Sequence, residues 1–489
     1  MIEYIEPEII KYKEVKELLE NNDRSHLFLN NDKKLLIEKL LEESFICIVG
    51  EPGIGKSRLL YEVKNKISDK QYFFCTASEF ITESVTENIE YCIIDALDEV
   101  NGNLFYRTLQ LIKQYHDNNS EVNVLFTCRK HYVASYVKYF ELCNDLTFAE
   151  LCRLSDNDVM KIVNTCSDIT QDNVYKSRKL KDLITIPRYL TFLLECEKQK
   201  GSILNIGELF EFIIDNSIKT AIKNYEGINY TENIRILVKR VLEKIAFVME
   251  ISRKDQISKD ELYTILDEVK GNMTQMFISN VDLLFFENRI LKETNGILQF
   301  ENTELQEYLA AKELCRQDNI ESVLYDIAVH KELKHIYPNW YDVIPHISYN
   351  EDKIPTFINI VKLILSYESI IENETIESLV KYIDTSILEY NQKEELFLII
   401  LEHYLRFPRY IIWRSQVSRL MQDCYTSNCS HRLLMPFDIL NKIQITNICT
   451  IIDEIAEKGE LDDKLYNCWL DAANNLIQDN DDENKLLAL

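Results

Sequence analysis

The chain is poor in turn residues. Its 489 residues include ten glycines and eight prolines, roughly 2% of each against ordinary usage of about 7% and 5%. Sandwiches, propellers and barrels of many short hairpins need both residues at their turns, so the counts exclude them. They also exclude collagen-like and Gly/Ser-linker sequence. Helices, whose interiors need neither residue, are the expected bulk. Positive charge is also short: 81 acidic residues face 55 basic ones, a formal charge of −26. That balance disfavours broad binding to nucleic acid or anionic membrane. No apolar run approaches the ~18 residues of a membrane span, and the residues after Met1 lack the basic and apolar regions of a signal peptide. The thirteen cysteines form no Cys-x-x-Cys pair. Cys424 and Cys429 come nearest, with no second pair to complete a zinc site. Cys47, Cys92 and Cys128 fall in apolar runs that read as buried strands, where cysteine acts as a small apolar residue. The expected setting is a reducing cytoplasm, with no membrane partner and nucleic acid disfavoured. At 46% apolar and 28% charged residues, the chain can bury a real core, and its length allows about three domains.

The few glycines are not spread evenly. Gly50, Gly53 and Gly55 lie within six positions, in Phe45-Ile46-Cys47-Ile48-Val49-Gly50-Glu51-Pro52-Gly53-Ile54-Gly55-Lys56-Ser57. An apolar run suited to a buried parallel strand leads into Gly-x-x-x-x-Gly-Lys-Ser, and a helix-compatible stretch from Arg58 follows. Strand, loop and helix are the context of a phosphate-binding P-loop. Glycine lets main-chain N–H groups converge on phosphate oxygens, and the helix N-terminus adds its dipole. Gly50 through Arg58 are the expected nucleotide contacts: Lys56 reaches the β- and γ-phosphates, and the Ser57 hydroxyl ligates Mg²⁺.

Two further apolar strands complete the expected site. Tyr91-Cys92-Ile93-Ile94 ends at Asp95, which is placed to hold Mg²⁺ together with Ser57. Asp98 and Glu99 follow closely. Val122-Asn123-Val124-Leu125-Phe126-Thr127-Cys128 ends at Arg129, whose cation would face the γ-phosphate, because ligands sit at the carboxyl ends of parallel strands. Lys56, Asp98, Glu99 and Arg129 are the catalytic candidates.

Asp95-Ala96-Leu97-Asp98-Glu99 resembles the NACHT branch of the STAND NTPases, signalling switches related to animal NOD-like receptors and to bacterial anti-phage proteins. Thr127-Cys128-Arg129 resembles that family's sensor-one strand end. Leu183-Ile184-Thr185-Ile186-Pro187-Arg188-Tyr189-Leu190 resembles the helical-domain segment whose proline packs on adenine. Pro187 is the only proline between Pro52 and Pro338, and a proline that merely starts a helix is the alternative reading. Phe300-Glu301-Asn302-Thr303-Glu304-Leu305-Gln306-Glu307-Tyr308-Leu309-Ala310-Ala311 resembles the end of the winged-helix domain of bacterial NACHT proteins. Asn295-Gly296 just before it is a hairpin signal. Where the family usually has a diphosphate-contacting histidine, this chain has Asn302, which can donate a hydrogen bond but carries no charge. The resemblance covers roughly residues 25–315.

The expected architecture is an α/β P-loop NTPase core with a parallel sheet, followed by a helical domain, a winged-helix domain and a C-terminal irregular α-solenoid. The expected divisions are 1–30 as helical or connector segment, 31–154 as NACHT core, 155–225 as helical domain, 226–315 as winged helix and 316–489 as helical sensor region. Asp32 to Leu41 reads as helix. From 316 onward only Gly459 interrupts helical apolar spacing such as Ile448, Ile451, Ile452 and Ile455. The tryptophans Trp340, Trp413 and Trp469 read as core or helix-packing residues. Arg406, Arg409, Arg414 and Arg419, interleaved with Tyr410 and Trp413, read as a solvated helix face pairing with acids, or as a patch for a nucleic acid or an acidic protein.

The resemblance implies an ATP/ADP switch with slow, Mg²⁺-dependent ATPase activity. A protein trigger, in an anti-phage setting a phage-derived one, would act through the C-terminal helices. The chain would then open and form a homo-oligomer. The stretch before the P-loop is short for an effector domain, so output would come from a co-encoded partner or a segment outside this chain. The alternatives are an AAA+-like motor or loader acting on nucleic acid, and a nucleotide-locked scaffold that does not hydrolyse.

Overall fold

The structure, a computed structural model, describes residues 5, 7–20, 34–35, 37–82, 88–100, 102–143, 145–224, 231–272, 284–287, 290–294, 296–330, 335–366, 376, 379–380, 383–407, 409–433, 440–459, 463, 465–467 and 470–471. The chain divides into two compact units: Met1–Gln171 with Lys181–Ser202, and Asp172–Leu180 with Ile203–Leu489.

The first unit is built on a seven-stranded sheet. Its strands are β1 (Ile9–Tyr12), β2 (Lys34–Leu35), β3 (Phe45–Gly50), β4 (Tyr72–Thr76), β5 (Tyr91–Asp95), β6 (Asn123–Arg129) and β7 (Thr147–Leu151), in the order β2-β1-β7-β3-β6-β5-β4. From β7 to β4 every pairing is parallel. Parallel sheets are covered on both faces, so their strands read as continuous apolar runs. Here alternation along each strand divides the side chains between two cores. Cys47, Val49, Cys92, Ile94, Val124, Phe126 and Cys128 pack with Phe105, Leu109 and Ile112 of the helix Gly102–Asn118. Ile46, Ile48, Ile93 and Leu125 pack with Leu59, Leu60 and Val63 of the helix Lys56–Lys66. The four cysteines of these strands, Cys47, Cys75, Cys92 and Cys128, all lie on the first of these faces.

The sheet is not wholly parallel. Ile9–Tyr12, expected to be helix or connector, is a strand running antiparallel to β7, with Ile9 opposite Leu151 and Tyr12 opposite Phe148. β2 pairs antiparallel to β1 in turn. Ile9, Ile10 and Tyr12 are buried, a spacing that fits helix or strand equally; the open edge of β7 decides it. Of the helix expected over Asp32 to Leu41, Ile37–Leu40 is helical and Lys34–Leu35 is strand; residues 32, 33 and 36 lie outside the described residues.

In the second unit a three-stranded antiparallel sheet joins β8 (Ile257–Ser258), β9 (Leu291–Thr294) and β10 (Ile297–Phe300) in the order β8-β10-β9. Gly296 takes φ 82° at the β9–β10 turn, where the hairpin signal stands; Asn295 lies outside the described residues. The helix Glu232–Ser252 packs along the helix Thr303–Leu314. Further on, Ile354–Leu365 packs on Tyr390–Arg406, which packs on Gln416–Cys424, which packs on Lys442–Glu457. Sequence neighbours are thus spatial neighbours, as in a solenoid. Trp340 is buried and Trp413 is half exposed; Trp469 lies outside the described residues. The arginine cluster is not one helix face: residues 409–414 form a connection between two helices, and Arg414 pairs with Glu457 at 2.9 Å.

Candidate functional site

The loop after β3 follows from its glycines. Gly53 and Gly55 adopt φ of 79° and 106°, the left-handed region that side chains disfavour. Gly55 is the N-cap of the helix Lys56–Lys66 and offers no side-chain cap, so the first-turn N–H groups keep their capacity to donate to an anion. The Lys56 amine donates to the carbonyls of Gly50 at 2.9 Å and Glu51 at 3.1 Å. Burial holds its pKa below the ordinary lysine value, against the opposing charge of Asp98.

Two contacts tie this loop to the rest of the first unit. Arg153, just beyond β7, grips the Glu51 carboxylate with a fork of bonds at 2.9–3.2 Å. The Arg188 N–H donates to the Gly53 carbonyl at 3.3 Å. Pro187 is the first residue of the helix Pro187–Lys200, so the start of that helix rests against the loop.

The other two strand ends lie on the same edge. Gly50 stands opposite Arg129 in the β3–β6 pairing, and Ile94 opposite Phe126 in β5–β6. Thr127 donates its hydroxyl to Asp95 at 2.5 Å and accepts the Ala96 N–H at 2.7 Å. Ala96 is left-handed, with φ 60°. That conformation turns the chain out of β5 into a short 3-10 turn, Leu97–Glu99. There Asp98 is buried, and both of its oxygens meet Arg129: the main-chain N–H at 3.0 Å and Nε at 2.8 Å.

The structure therefore brings Gly50 through Arg58, Asp95, Asp98, Arg129 and Pro187 into one region of the first unit. Ser57 is exposed, and exposed Arg58 pairs with Glu62 at 2.7 Å. The Glu99 side chain lies outside the described residues. Asn302 belongs to the second unit, where it caps the helix Thr303–Leu314 by accepting the Leu305 N–H at 3.3 Å. Asparagine is a favoured N-cap, which gives it a local task the sequence reading missed. Arg153 was also missed, since its partner Glu51 lies 102 positions away.

The residues fit a nucleoside triphosphate with its cation. Two left-handed glycines and an uncapped helix start suit phosphate, and Ser57 and Asp95 supply the hard oxygen donors that Mg²⁺ prefers. Among the described residues no group of three or more His, Cys, Asp or Glu could hold a metal by itself.

Residues 30–165 match the model of the family described as novel STAND NTPase 3. The chain carries a STAND-class NTPase domain. The matched span includes the P-loop, Asp95, Asp98, Arg129 and Arg153, and stops short of Pro187 and Asn302. No curated protein matches the chain. Among solved structures, the Orc1 protein of Aeropyrum pernix in complex with DNA is 11% identical over 59% of this chain and 93% of that one, with a TM-score of 0.30. The RuvB Holliday junction branch migration motor of Thermotoga maritima is 13% identical over 56% and 92%, with a TM-score of 0.25. The S. cerevisiae Hsp104–ADP complex is 13% identical over 82% and 58%, with a TM-score of 0.25. Likenesses at such scores carry no argument, and the architecture of the STAND domain stands on its own sheet. No helix among the described residues is long and apolar enough to cross a membrane.

Proposed function

We propose that this STAND domain works as an ATP/ADP switch of the NACHT type rather than as a rapid-turnover enzyme. The observation that carries the reading is the convergence of Lys56, Asp95 and Arg129 on one sheet edge. Lys56 and the loop N–H groups bind the phosphates, and Arg129 faces the terminal phosphate. Ser57 and Asp95 hold Mg²⁺, which neutralises phosphate charge when bound. An acid of the Leu97–Glu99 turn orients the attacking water. Pro187, at the helix start beside the loop, packs on the adenine.

The finer parts of the proposal rest on resemblance. The NACHT branch rests on Asp95-Ala96-Leu97-Asp98-Glu99 and on Gln306 through Ala311. The β8-β10-β9 sheet with its flanking helices supports reading 226–315 as a winged helix, within the division 31–154, 155–225, 226–315 and 316–489. Trigger recognition by the C-terminal helices, homo-oligomerisation on opening and an anti-phage role in the cytoplasm complete it. Such a switch requires different nucleotide affinities in its two states.

Mass spectrometry of nucleotide released from the purified protein tests the reading. Bound ADP or ATP is expected, and Lys56→Ala should abolish ATP binding in a calorimetric titration. Unchanged ATP affinity in Lys56→Ala would remove the proposed site.

A further inference from the structure

Asp98 is one of the two acids, with Glu99, that could orient the attacking water, but its carboxylate is already engaged. One oxygen accepts the Arg129 main-chain N–H at 3.0 Å and the other lies 2.8 Å from Arg129 Nε. The Asp98 side chain is 5% exposed and that of Arg129 21%. A carboxylate gripped at two points in a buried setting is not free to take a proton from water and turn with it. A guanidinium, however, has a near edge at Nε and a far end carrying the two Nη groups. The Asp98 contact fixes the near edge and the main chain beneath it. Among the described residues the far end is left its donors for a planar or tetrahedral anion, the recognition at which arginine excels.

Position agrees with this. Arg129 ends the strand beside β3, opposite Gly50, and both Arg129 and Asp98 act electrostatically on the Lys56 amine. The cation is therefore held next to the phosphate loop rather than left to sample many rotamers. Holding it in advance removes side-chain ordering from the cost of binding.

We infer that Asp98 is a positioning residue for Arg129, and that the pair sets the preference of the site for a nucleoside triphosphate over the diphosphate. The inference rests on the nucleotide reading above. The water-orienting role then passes from Asp98 to another group.

The test is the ratio of ADP to ATP dissociation constants, measured by calorimetry on the full chain under single-site, non-turnover conditions. Arg129→Gln should lower the preference for ATP by about tenfold, the loss of a charge-assisted bond. Asp98→Asn should lower it by a similar factor, with ADP affinity little changed. In the double variant the two losses should not add. Asp98→Glu, which restores the charge, should recover part of the preference. A merely structural defect would weaken ADP and ATP alike and overturns the inference. So does an Asp98→Asn protein that keeps the wild-type ratio and loses only turnover, the signature of a base. A ratio that moves toward ATP, as simple removal of a negative charge would produce, overturns it too. Failure of the wild-type protein to bind either nucleotide would instead sink the nucleotide reading itself.

Discussion

Thr127 on β6 donates its hydroxyl to the Asp95 carboxylate on β5 at 2.5 Å, while its oxygen accepts the N–H of Ala96 at 2.7 Å. One side chain thus satisfies both the acid at the end of a strand and the left-handed residue that follows it. Thr127→Val keeps the shape and removes both bonds. Leaving such groups unmet costs about 1–3 kcal/mol. Urea denaturation should show a loss of that order, and Thr127→Ser should restore most of it. A valine variant as stable as wild type would mean that the hydroxyl holds nothing.

Ala96 is strained where it stands. A non-glycine residue at φ 60° costs about 1–2 kcal/mol, and glycine would relieve this while losing about 0.4–1 kcal/mol through the unfolded chain. Ala96→Gly should therefore be neutral to about 1.6 kcal/mol more stable. Ala96→Val, with a branched side chain in the same region, should be less stable than wild type. Thermal melts of the pair decide the matter, and the opposite order would remove strain from the account.

How much of this was legible in sequence depends on range. The P-loop and the strands ending at Gly50, Asp95 and Arg129 were readable because buried parallel strands carry unbroken apolar runs. The smallness of the residue after Asp95 was visible too, but its reason, a left-handed turn out of β5, was not. β1 escaped because Ile9, Ile10 and Tyr12 fit two periodicities, and only the distant edge of β7 chooses between them. The pairings Glu51–Arg153, Asp98–Arg129 and Gly53–Arg188 are long-range meetings that no local pattern encodes. Asn302 was read through a resemblance, whereas its capping bond to Leu305 was written in the adjacent residues.

The P-loop glycines should differ in tolerance. A Cβ at Gly53 would stand 2.8 Å from the Cβ of Arg188, whereas one at Gly55 would meet nothing within 4 Å. Both positions have positive φ, so alanine strains either. Only Gly53→Ala also pushes on the first turn of the helix Pro187–Lys200. Gly53→Ala should be the more destabilising of the two by about 1 kcal/mol or more, measured by urea denaturation. Equal losses would show that the Arg188 contact gives way freely.

In the second unit, His346 and Glu307 form a buried contact, Nε2 to Oε2, at 3.7 Å. Burial drives the pair toward neutrality from both sides. His346 is pushed down to about 3, chiefly by desolvation with a smaller effect of the Lys179 charge. Glu307 is held well above the ordinary carboxyl value by desolvation and then by Asp342, Glu304 and Glu250, with Lys179 opposing. The pH dependence takes opposite signs. Below about 6.5 the unfolded chain protonates its histidine while the folded His346 does not, so its contribution falls with acid. Above the ordinary carboxyl value the unfolded chain ionises Glu307 while the folded state resists, so that contribution falls with alkali. Between pH 7.5 and 5.5 the destabilisation caused by His346→Gln, which cannot titrate, should shrink by about 1.4 kcal/mol. Over the same interval Glu307→Gln should lose ground relative to wild type, because the Glu307 contribution grows on acidification and an amide has none to gain. Urea denaturation of the three proteins at both pH values measures the differences. Parallel pH profiles for all three would show that neither side chain is held neutral in the folded protein.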